Sequence, residues 1–456
     1  MAATFPTATE SSGLYYSQDF SLKTLNFLTA NGEKFELKRV MAEFSYYEDI
    51  YSFCVSGYIT ITDAQGFIEL LQLTGNEFIE INFGKMKNGK NETDKQFRVY
   101  KAGNRRPSGN MNSEFYTLYF CSEELVLSEQ RKVSKSFKGT EIYKVVDNIL
   151  KEELKVRTDK IEKIEQTKGI YDFIIPTLKP FEAISWLSNY ARPQKYVGAD
   201  MLFFETKNGY NFRSLQSMFS DTAYATYKYQ AKNISYDSQS PQEKATTILK
   251  YEIVKPYDIL SQINSGAMAN KLISIDPLTR TYKTTYFNYD KFKGQAKTLN
   301  PGKPSNDLKN RFNKSQSEEY EGVLKVSIGN ADQKMVPYIK EAGDGVAQDV
   351  FVETYIPTRT AQIALANYTI IRASIPGDPG ITAGRTINFN LYTLKPTNDK
   401  KDLDKFYSGK YLVTAVRHII LPQGLYQTIL ELAKDSSATT YQNIKNTASQ
   451  KSAIKL

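Results

Sequence analysis

Histidine and cysteine are almost missing from this chain of 456 residues, which has one histidine, His418, and two cysteines, Cys54 and Cys121. A single imidazole cannot build a multi-histidine metal site, and neither cysteine lies in a CxxC motif or a Cys/His cluster. We therefore exclude zinc fingers and disulfide scaffolds. In a reducing cytosol we expect both cysteines to be small buried residues on strands.

Long apolar runs are also missing. The runs at residues 59–61 and 411–416 are far shorter than the roughly 20 residues that a membrane helix needs, and charged residues flank them. The first residues, MAATFPTATESSG, contain no basic segment and no continuous apolar segment, which argues against a secretory signal. We expect no membrane anchor and a protein that is made in and used from the cytosol.

The composition is that of a globular protein, with 41% hydrophobic and 24% charged residues. A length of 456 residues predicts two to four domains, at roughly 150 residues per domain. The net charge of +9 would suit a polyanion, yet the lysines are scattered, which favours a solvated surface. The basic clusters at residues 105–106 and 303–314 lie among Pro, Gly and Asn and indicate loops.

Short strands rich in aromatic and β-branched residues fill residues 20–128, which we predict to be an antiparallel β domain after a flexible arm at residues 1–19. Between residues 77 and 83 the chain alternates, with Ile79, Ile81 and Phe83 on one face and Glu80 and Asn82 on the other. This period is typical of a half-buried strand.

Residues 129–218 combine helical and strand patterns, so we predict an α+β domain there. Thr140 is a candidate helix cap, and Pro180 is suited to begin a second helix that ends before Pro193. Asn208 and Gly209 favour a β-hairpin turn. The apolar residues at helical spacing after the candidate cap are Ile142, Val145, Val146, Ile149 and Leu154.

The remainder divides into four segments. Residues 219–257 are predicted to be connecting strands, either separate or part of a second β domain, and residues 258–350 a loop-rich insertion. Residues 351–435 form the second β domain, with a short helix at residues 361–366 and alternation at Ile387, Phe389 and Leu391. Residues 436–456 are a polar, basic tail.

The two β domains look alike. GNEFIEINF at residues 75–83 is similar to GRTINFNLY at residues 384–392, and the strand pair beginning FRVYKAG at residue 97 is similar to the pair beginning YLVTAVR at residue 411. We favour an internal duplication over a chance likeness of two β patterns. Three chains would then supply six similar units, enough to close a ring.

These features together resemble the hub proteins of contractile-tailed bacteriophage baseplates and, more distantly, the hub part of type VI secretion spike proteins. The resemblance is carried by TLKPFEAISWLSNYA at residues 177–191 with the hairpin behind it, and by residues 374–391 and 407–436. It implies a β-rich α+β fold with two similar antiparallel β-barrel tube-like domains, an α+β middle domain and a loop-rich insertion.

The resemblance also implies a function. Such a hub is a structural homotrimer that adapts the sixfold tail tube to the threefold central spike and forms part of the DNA channel. The implied partners are the central spike protein, tail tube or tube-initiator proteins, baseplate wedge proteins and DNA in transient passage. The implied location is the tail baseplate of the virion, with host cytoplasm during assembly. No side-chain role is carried over.

No motif in the chain selects an active site. His418 lies within a strand pattern and is expected to be structural. The segment at residues 84–90, GKMKNGK, matches GxxxxGK, but Asn91 replaces the Ser or Thr that would bind magnesium, and no helix pattern follows. We therefore predict no enzyme, no catalytic, cofactor-binding or metal-binding residues, and no cofactor.

Two other functions stay open. A cell-wall-degrading enzyme of the tail could use a carboxylate pair, but such pairs are defined by separation in space and no local pattern selects one. A nucleic-acid-binding protein would fit the positive charge and the 32 tyrosines. Those tyrosines lie at strand positions, which favours core or interface roles over base stacking.

Overall fold

The computed structural model describes residues 20–64, 66, 73–85, 93–107, 113–229, 240–256, 258–277, 280–302, 310–328, 339–343, 346–349, 352–393, 403–422 and 425–438. The predicted arm at residues 1–19 and most of the predicted tail lie outside these residues. Within them the chain is β-rich with several helices, as the sequence predicted.

The strands follow one another in chain order: β1 Phe20–Leu28, β2 Lys34–Glu36, β3 Met41–Asp49, β4 Ser56–Asp63, β5 Phe78–Lys85, β6 Thr93–Pro107, β7 Glu114–Cys121, β8 Ser136–Thr140, β9 Ile161–Ile164, β10 Thr167–Lys168, β11 Ile170–Ile174, β12 Arg192–Pro193, β13 Met201–Thr206, β14 Gly209–Ser214, β15 Thr226–Tyr229, β16 Lys250–Lys255, β17 Ala269–Asp276, β18 Thr281–Asn288, β19 Leu324–Ile328, β20 Ile339–Gly343, β21 Val346–Asp349, β22 Thr369–Pro376, β23 Thr386–Leu391, β24 Gly409–Ile420 and β25 Tyr426–Lys434.

The α-helices are α1 Glu123–Glu129, α2 Ile142–Asn148, α3 Pro180–Tyr190, α4 Leu215–Ser220, α5 Pro241–Ala245, α6 Ile259–Ser265, α7 Tyr289–Lys293 and α8 Val352–Ala366. A π-helical turn, Ile149–Glu153, continues α2. Short 3₁₀ turns occur at Thr158–Lys160, Gln316–Glu318 and Tyr320–Gly322.

Strands from both predicted β domains join in one sheet of 13 strands. Its order is β16-β22-β25-β24-β3-β4-β7-β6-β5-β1-β2, and β23 pairs with β24 and β15. Among the described residues no strand pair closes this sheet, so the prediction of two separate barrels is not confirmed. The reason lies in β24: β23 pairs with only its first residues, 409–412, which leaves residues 415–420 to pair with β3.

The sheet nevertheless contains the same six-strand pattern twice. The first unit has the order β3-β4-β7-β6-β5-β1, and the second unit has the order β16-β22-β25-β24-β23-β15. Each strand of one unit corresponds to the strand of the same rank along the chain in the other. One difference is that β1 pairs antiparallel with β5, whereas β15 pairs parallel with β23. The shared strand order supports the predicted duplication.

The duplication extends to single residues. The register of β6 on β7 shifts between Val99 and Lys101, and that of β24 on β25 shifts between Val413 and Ala415, which are the positions matched in the sequence. A β-bulge at the same place in both copies is typical of a conserved element. The register also makes Ile79 equivalent to Ile387. The two matched segments are therefore equivalent strands, with residues 77–83 corresponding to residues 385–391 as predicted, although Gly75 and Gly384 are then one residue out of step.

Each unit has its own core. The side chains predicted to face it are buried in both copies, with Ile81 and Phe389 each 0% exposed. Glu80 and Asn388, predicted to lie on the opposite face, are half-buried. The buried apolar side chains described on this face of β5 and β23 are Ile79, Ile81, Phe83, Ile387, Phe389 and Leu391.

The middle segment follows most of its predicted elements. Pro180 begins α3, and β13 and β14 form the hairpin through the predicted Asn208-Gly209 region. The predicted cap at Thr140 was wrong: Thr140 ends β8, and Glu141 precedes the helix. The apolar stripe after it is buried, so periodicity located the helix although the capping residue did not. Trp186 is half-buried and packs on Phe173 and Tyr190.

The insertion has more regular structure than the loops predicted for residues 258–350. Strands β17, β18 and β19 form a sheet of three strands, and α6 and α7 flank β17 and β18 in the chain. Met268 and Phe287 pack against Ala361 and Leu365 of α8. Helix α8 begins at Val352, well before the predicted residues 361–366, and continues through Pro357.

A charge inside either unit should unfold that unit. We expect Ile81→Asp and Phe389→Asp each to lower the free energy of unfolding by about 4 kcal/mol or more, because an unpaired carboxylate would replace a fully buried side chain. Glu80→Gln should cost no more than about 1 kcal/mol, because its ion pair with Lys34 is largely exposed. Urea unfolding of the three variants tests this, and equal stabilities would contradict the shared core assignment.

Candidate functional site

The two units meet along β24 and β3, which pair antiparallel from Ala415 opposite Asp49 to Ile420 opposite Phe44. We call this contact the junction. Ile420 and Tyr426, from the second unit, lie in the hydrophobic core of the first. Since main-chain hydrogen bonds and a shared core both cross it, the junction holds the two units as one sheet.

Glu48 ties three distant segments together at the junction. Its carboxylate accepts the backbone N–H of Lys207 at 2.6 Å and that of Ala383 at 2.9 Å, and the hydroxyl of Tyr46 donates to it at 3.2 Å. The side chain is 1% exposed. Burial raises the pKa of Glu48 to about 7, even though the two backbone donors oppose that shift.

Lys207, which donates to this carboxylate, and His418 are also buried at the junction. Burial lowers the pKa of Lys207 to about 8, and its Nζ donates to the carbonyl of Pro379. His418 Nδ1 lies 2.8 Å from the Tyr426 hydroxyl and 3.3 Å from Thr428 Oγ1. Burial, together with the nearby charge of Lys207, lowers the pKa of His418 to about 3, so the ring is neutral at physiological pH.

A second polar cluster crosses the junction on the opposite face of the sheet. Arg417 Nη2 donates to Glu43 Oε1 at 2.9 Å, to Tyr58 OH at 2.8 Å and to Ser45 Oγ at 3.1 Å. Burial opposes it, yet hydrogen bonds from Tyr58 and Ser45 and the charge of Arg417 lower the pKa of Glu43. Because Arg417 belongs to β24 and its partners to β3 and β4, this cluster fixes the register between units.

The sequence candidates for chemistry do not come together. His418 is 1% exposed and contacts the rings of Tyr46, Phe83 and Tyr426, which suits a core residue and gives no access to a substrate. Of the GxxxxGK segment at residues 84–90, Gly84 and Lys85 end β5, and the other five positions lie outside the described residues. The basic cluster at 105–106 is exposed on β6, not in a loop.

Both cysteines are buried and free. Burial raises the pKa of each thiol, that of Cys121 to about 12, with the Glu205 carboxylate adding to the effect. A protonated, buried thiol is a poor nucleophile and metal ligand. Cys121 ends β7 as predicted, whereas Cys54 lies in the bend before β4 and not on a strand.

In the part of the chain that the structure describes, no group of three or more His, Cys, Asp or Glu side chains is arranged to hold a metal ion. Nor does any helix in those residues have the length and apolar character to cross a membrane.

Sequence reasoning missed Glu48, Lys207 and Glu205. Glu205 accepts from the backbone N–H of Val55 at 3.0 Å and from the Ser122 hydroxyl, and thereby ties the β13–β14 hairpin to the first unit. No local pattern marks these residues, because the partners that join them to other segments lie more than 80 positions away in the chain. The one available signal was a charged residue inside an apolar strand pattern, as at Glu48.

Comparison with solved structures defines the class of fold. The tail protein from Neisseria meningitidis MC58 matches with a TM-score of 0.51 and 10% identity over 90% of this chain and 96% of that one. The prophage MuSo2 43 kDa tail protein from Shewanella oneidensis matches with a TM-score of 0.51 and 7% identity over 91% and 99%. The fold is therefore that of phage tail proteins.

Comparison with known sequences finds similarity to one particular kind of phage tail protein. The chain is 23% identical over 389 residues to the probable baseplate hub protein gp334 of Vibrio phage KVP40, covering 84% of this chain and 87% of that protein. The resemblance to phage baseplate hub proteins is thus confirmed. Weaker fold matches, with TM-scores below 0.5, include a chain of a Francisella PdpA–VgrG complex. No protein-family model matches the chain.

The buried histidine predicts a specific dependence of stability on pH. The pKa of His418 is about 3 in the folded chain and 6.5 when unfolded, so between these values the unfolded chain binds the extra proton. Lowering the pH from 7 to 5 should therefore cost the wild type about 2 kcal/mol of unfolding free energy through this residue. Over the same change in pH, the His418→Gln variant should lose about 2 kcal/mol less unfolding free energy than the wild type.

Urea unfolding of both proteins at pH 7 and pH 5 measures the difference. Equal losses would mean that His418 ionises in the folded protein, contrary to its burial. A hydrolytic activity that disappears in His418→Gln while the fold persists would contradict the structural role.

Proposed function

We propose that this protein is the structural hub of a phage tail baseplate, a homotrimer that adapts the sixfold tail tube to the threefold central spike. The observation that carries the proposal is the repeated six-strand unit. Two like units in each of three chains would supply six similar surfaces to a sixfold tube while the chains themselves keep threefold symmetry. The similarity to a probable baseplate hub protein supports this role.

In the proposed ring the sheet faces would surround part of the DNA channel. The partners would be the central spike protein on the threefold side, tail tube or tube-initiator proteins on the sixfold side, and baseplate wedge proteins outside. The protein would lie in the tail baseplate of the virion after assembly in the host cytoplasm. Each of the two units would take the place of one tube-like domain.

We further propose that the chain has no active site. Its single histidine is buried and neutral, and both thiols are buried and protonated. Two buried carboxylates, Glu48 at the junction and Glu205 on β13, accept hydrogen bonds from backbone N–H groups within the fold. Carboxylates engaged in this way have structural partners and do not face a cleft as a hydrolytic pair would.

Nucleic-acid binding through stacked tyrosines is less well supported. Six tyrosines are among the largest fully buried side chains, so they cannot stack on bases. They are Tyr46, Tyr116, Tyr171, Tyr210, Tyr227 and Tyr411. A shift assay at physiological salt with single-stranded and duplex DNA should detect no specific complex.

Trimerisation is the direct test of the proposal. Native mass spectrometry or light scattering on the full chain at micromolar concentration should give the mass of three chains, and negative-stain images should show a ring. The same measurement with the phage's central spike protein should give a complex with three hub chains. A mass of one chain under both conditions would contradict the hub function.

A further inference from the structure

Each of the two strands that form the junction has an equivalent strand in the other unit. Among the described residues, these two equivalent strands do not pair with each other. On one edge of β24, residues 409–412 pair with β23 and residues 415–420 pair with β3. The first part of β24 therefore pairs within its own unit, and the second part pairs with the other unit. The residues that β3 covers are largely buried, with Val416, His418 and Ile420 each 1% exposed.

Strand β6 is the equivalent of β24 in the first unit. Residues 93–98 pair with β5, and the Val99 N–H donates to the Glu77 carbonyl at 3.0 Å, as the Val413 N–H donates to the Arg385 carbonyl at 2.8 Å. Beyond Val99 the strand continues to Pro107, and among the described residues no strand pairs with this stretch on the edge that β5 uses. Residues 100–107 are exposed apart from half-buried Gly103.

The exposure of the bulged residues shows how the β6 extension differs from the equivalent part of β24. Tyr100 and Thr414 occupy equivalent bulges, yet Tyr100 is 53% exposed and Thr414 is 0% exposed. Thr414 is covered because the junction forms around it, and its carbonyl accepts the Ile50 N–H. In the described part of the chain, the first unit thus presents the same strand extension without the neighbour that covers it.

Strand β16 is the strand that the β6 extension would need as its partner. It is the equivalent of β3, and it lies at the end of the sheet, paired on one side with β22. No described strand pairs with its other side, and Val254 is 46% exposed there. In the described chain, β24 and β3 therefore pair with each other, whereas their equivalents, β6 and β16, do not.

We propose that the β6 extension of one chain pairs antiparallel with β16 of a second copy of the same chain. This rests on the proposed homotrimer and specifies how its chains join. An exposed strand edge readily accepts another strand, and here the second copy is indicated because the same chain already makes the equivalent pair internally. Three copies would close a ring in which internal and intermolecular junctions alternate.

The internal register predicts the intermolecular one. Arg417 lies opposite Tyr47 at the junction, and the equivalent residues are Gly103 and Lys255. Just beyond these positions, each strand has one residue more than its equivalent at the junction. The register of β6 shifts between Gly103 and Arg106, and that of β16 shifts between Ile253 and Lys255. The two shifts cancel, which places Arg106 directly opposite Glu252.

The predicted pair has opposite charges, which stabilise a cross-strand contact. The intermolecular junction is also more polar than the internal one, because Pro107 and Glu114 stand where Ile420 and Tyr426 enter the neighbouring core. This polarity suits a surface that faces water until the ring assembles.

Cysteine pairing tests the register. Opposed residues in an antiparallel pair have Cα atoms about 4.5–5.5 Å apart, which is within disulfide reach. Arg106→Cys combined with Glu252→Cys should form covalent dimers and trimers under mild oxidation. Arg106→Cys combined with Lys132→Cys, a substitution at an exposed site in neither strand, should not. Cys54 and Cys121 are buried, so the wild type should stay unlinked.

Charge reversal gives an independent measurement. Arg106→Glu and Glu252→Arg should each raise the dissociation constant of the trimer by about tenfold or more, and the double reversal should restore it. Lys132→Glu is the control and should leave assembly unchanged. Circular dichroism and thermal unfolding of each variant show whether its monomer is folded.

Each result has a distinct meaning. A wild-type trimer with no cross-linking through residues 106 and 252 and no response to charge reversal would overturn this pairing and leave the hub function standing. A wild-type mass of one chain, again without cross-linking, would overturn the pairing and the hub function together.

Discussion

The main-chain pairing of β24 with β3 is the contact on which the rest of this architecture depends. It converts two similar six-strand units into one sheet of 13 strands and brings the end of the second unit into the core of the first. Without it, residues 415–420 would be an unpaired strand edge carrying apolar side chains, which proteins avoid exposing. The length of β24, 12 residues, makes the pairing possible because β23 uses only its first part.

Buried charges specify where the units meet. Glu48 on β3 accepts hydrogen bonds from the turn after β13 and from the loop before β23, so a shift in any of these segments would leave a carboxylate buried without partners. Such a loss costs more than the hydrogen bonds contribute, which favours one arrangement over near alternatives. On the other face, Arg417 performs the same role through Glu43, Ser45 and Tyr58.

Local patterns predicted elements well where a single face is buried. Ile79, Ile81 and Phe83 alternate and all face a core, and Pro180 begins its helix. The predictions failed where local signals compete. Thr140 has the side chain of a helix cap but ends a strand, and Pro357 lies inside α8 although proline usually ends a helix. The insertion was predicted, but its strand β18 was missed because this exposed strand buries few of its side chains and so lacks a clear alternation.

By itself the sequence indicated the repeat, the alternation of buried residues within single strands and the absence of a local motif for catalysis, because these can be read from short segments of the chain. It could not determine that the units share one sheet, that Glu48 and Lys207 lie side by side, or that no other described strand gives the β6 extension the neighbour that β24 has. Those facts depend on which strand edges meet and on pairs of residues separated by more than 150 positions. Backbone edges look alike in every strand, so only the tertiary structure decides which of them pair.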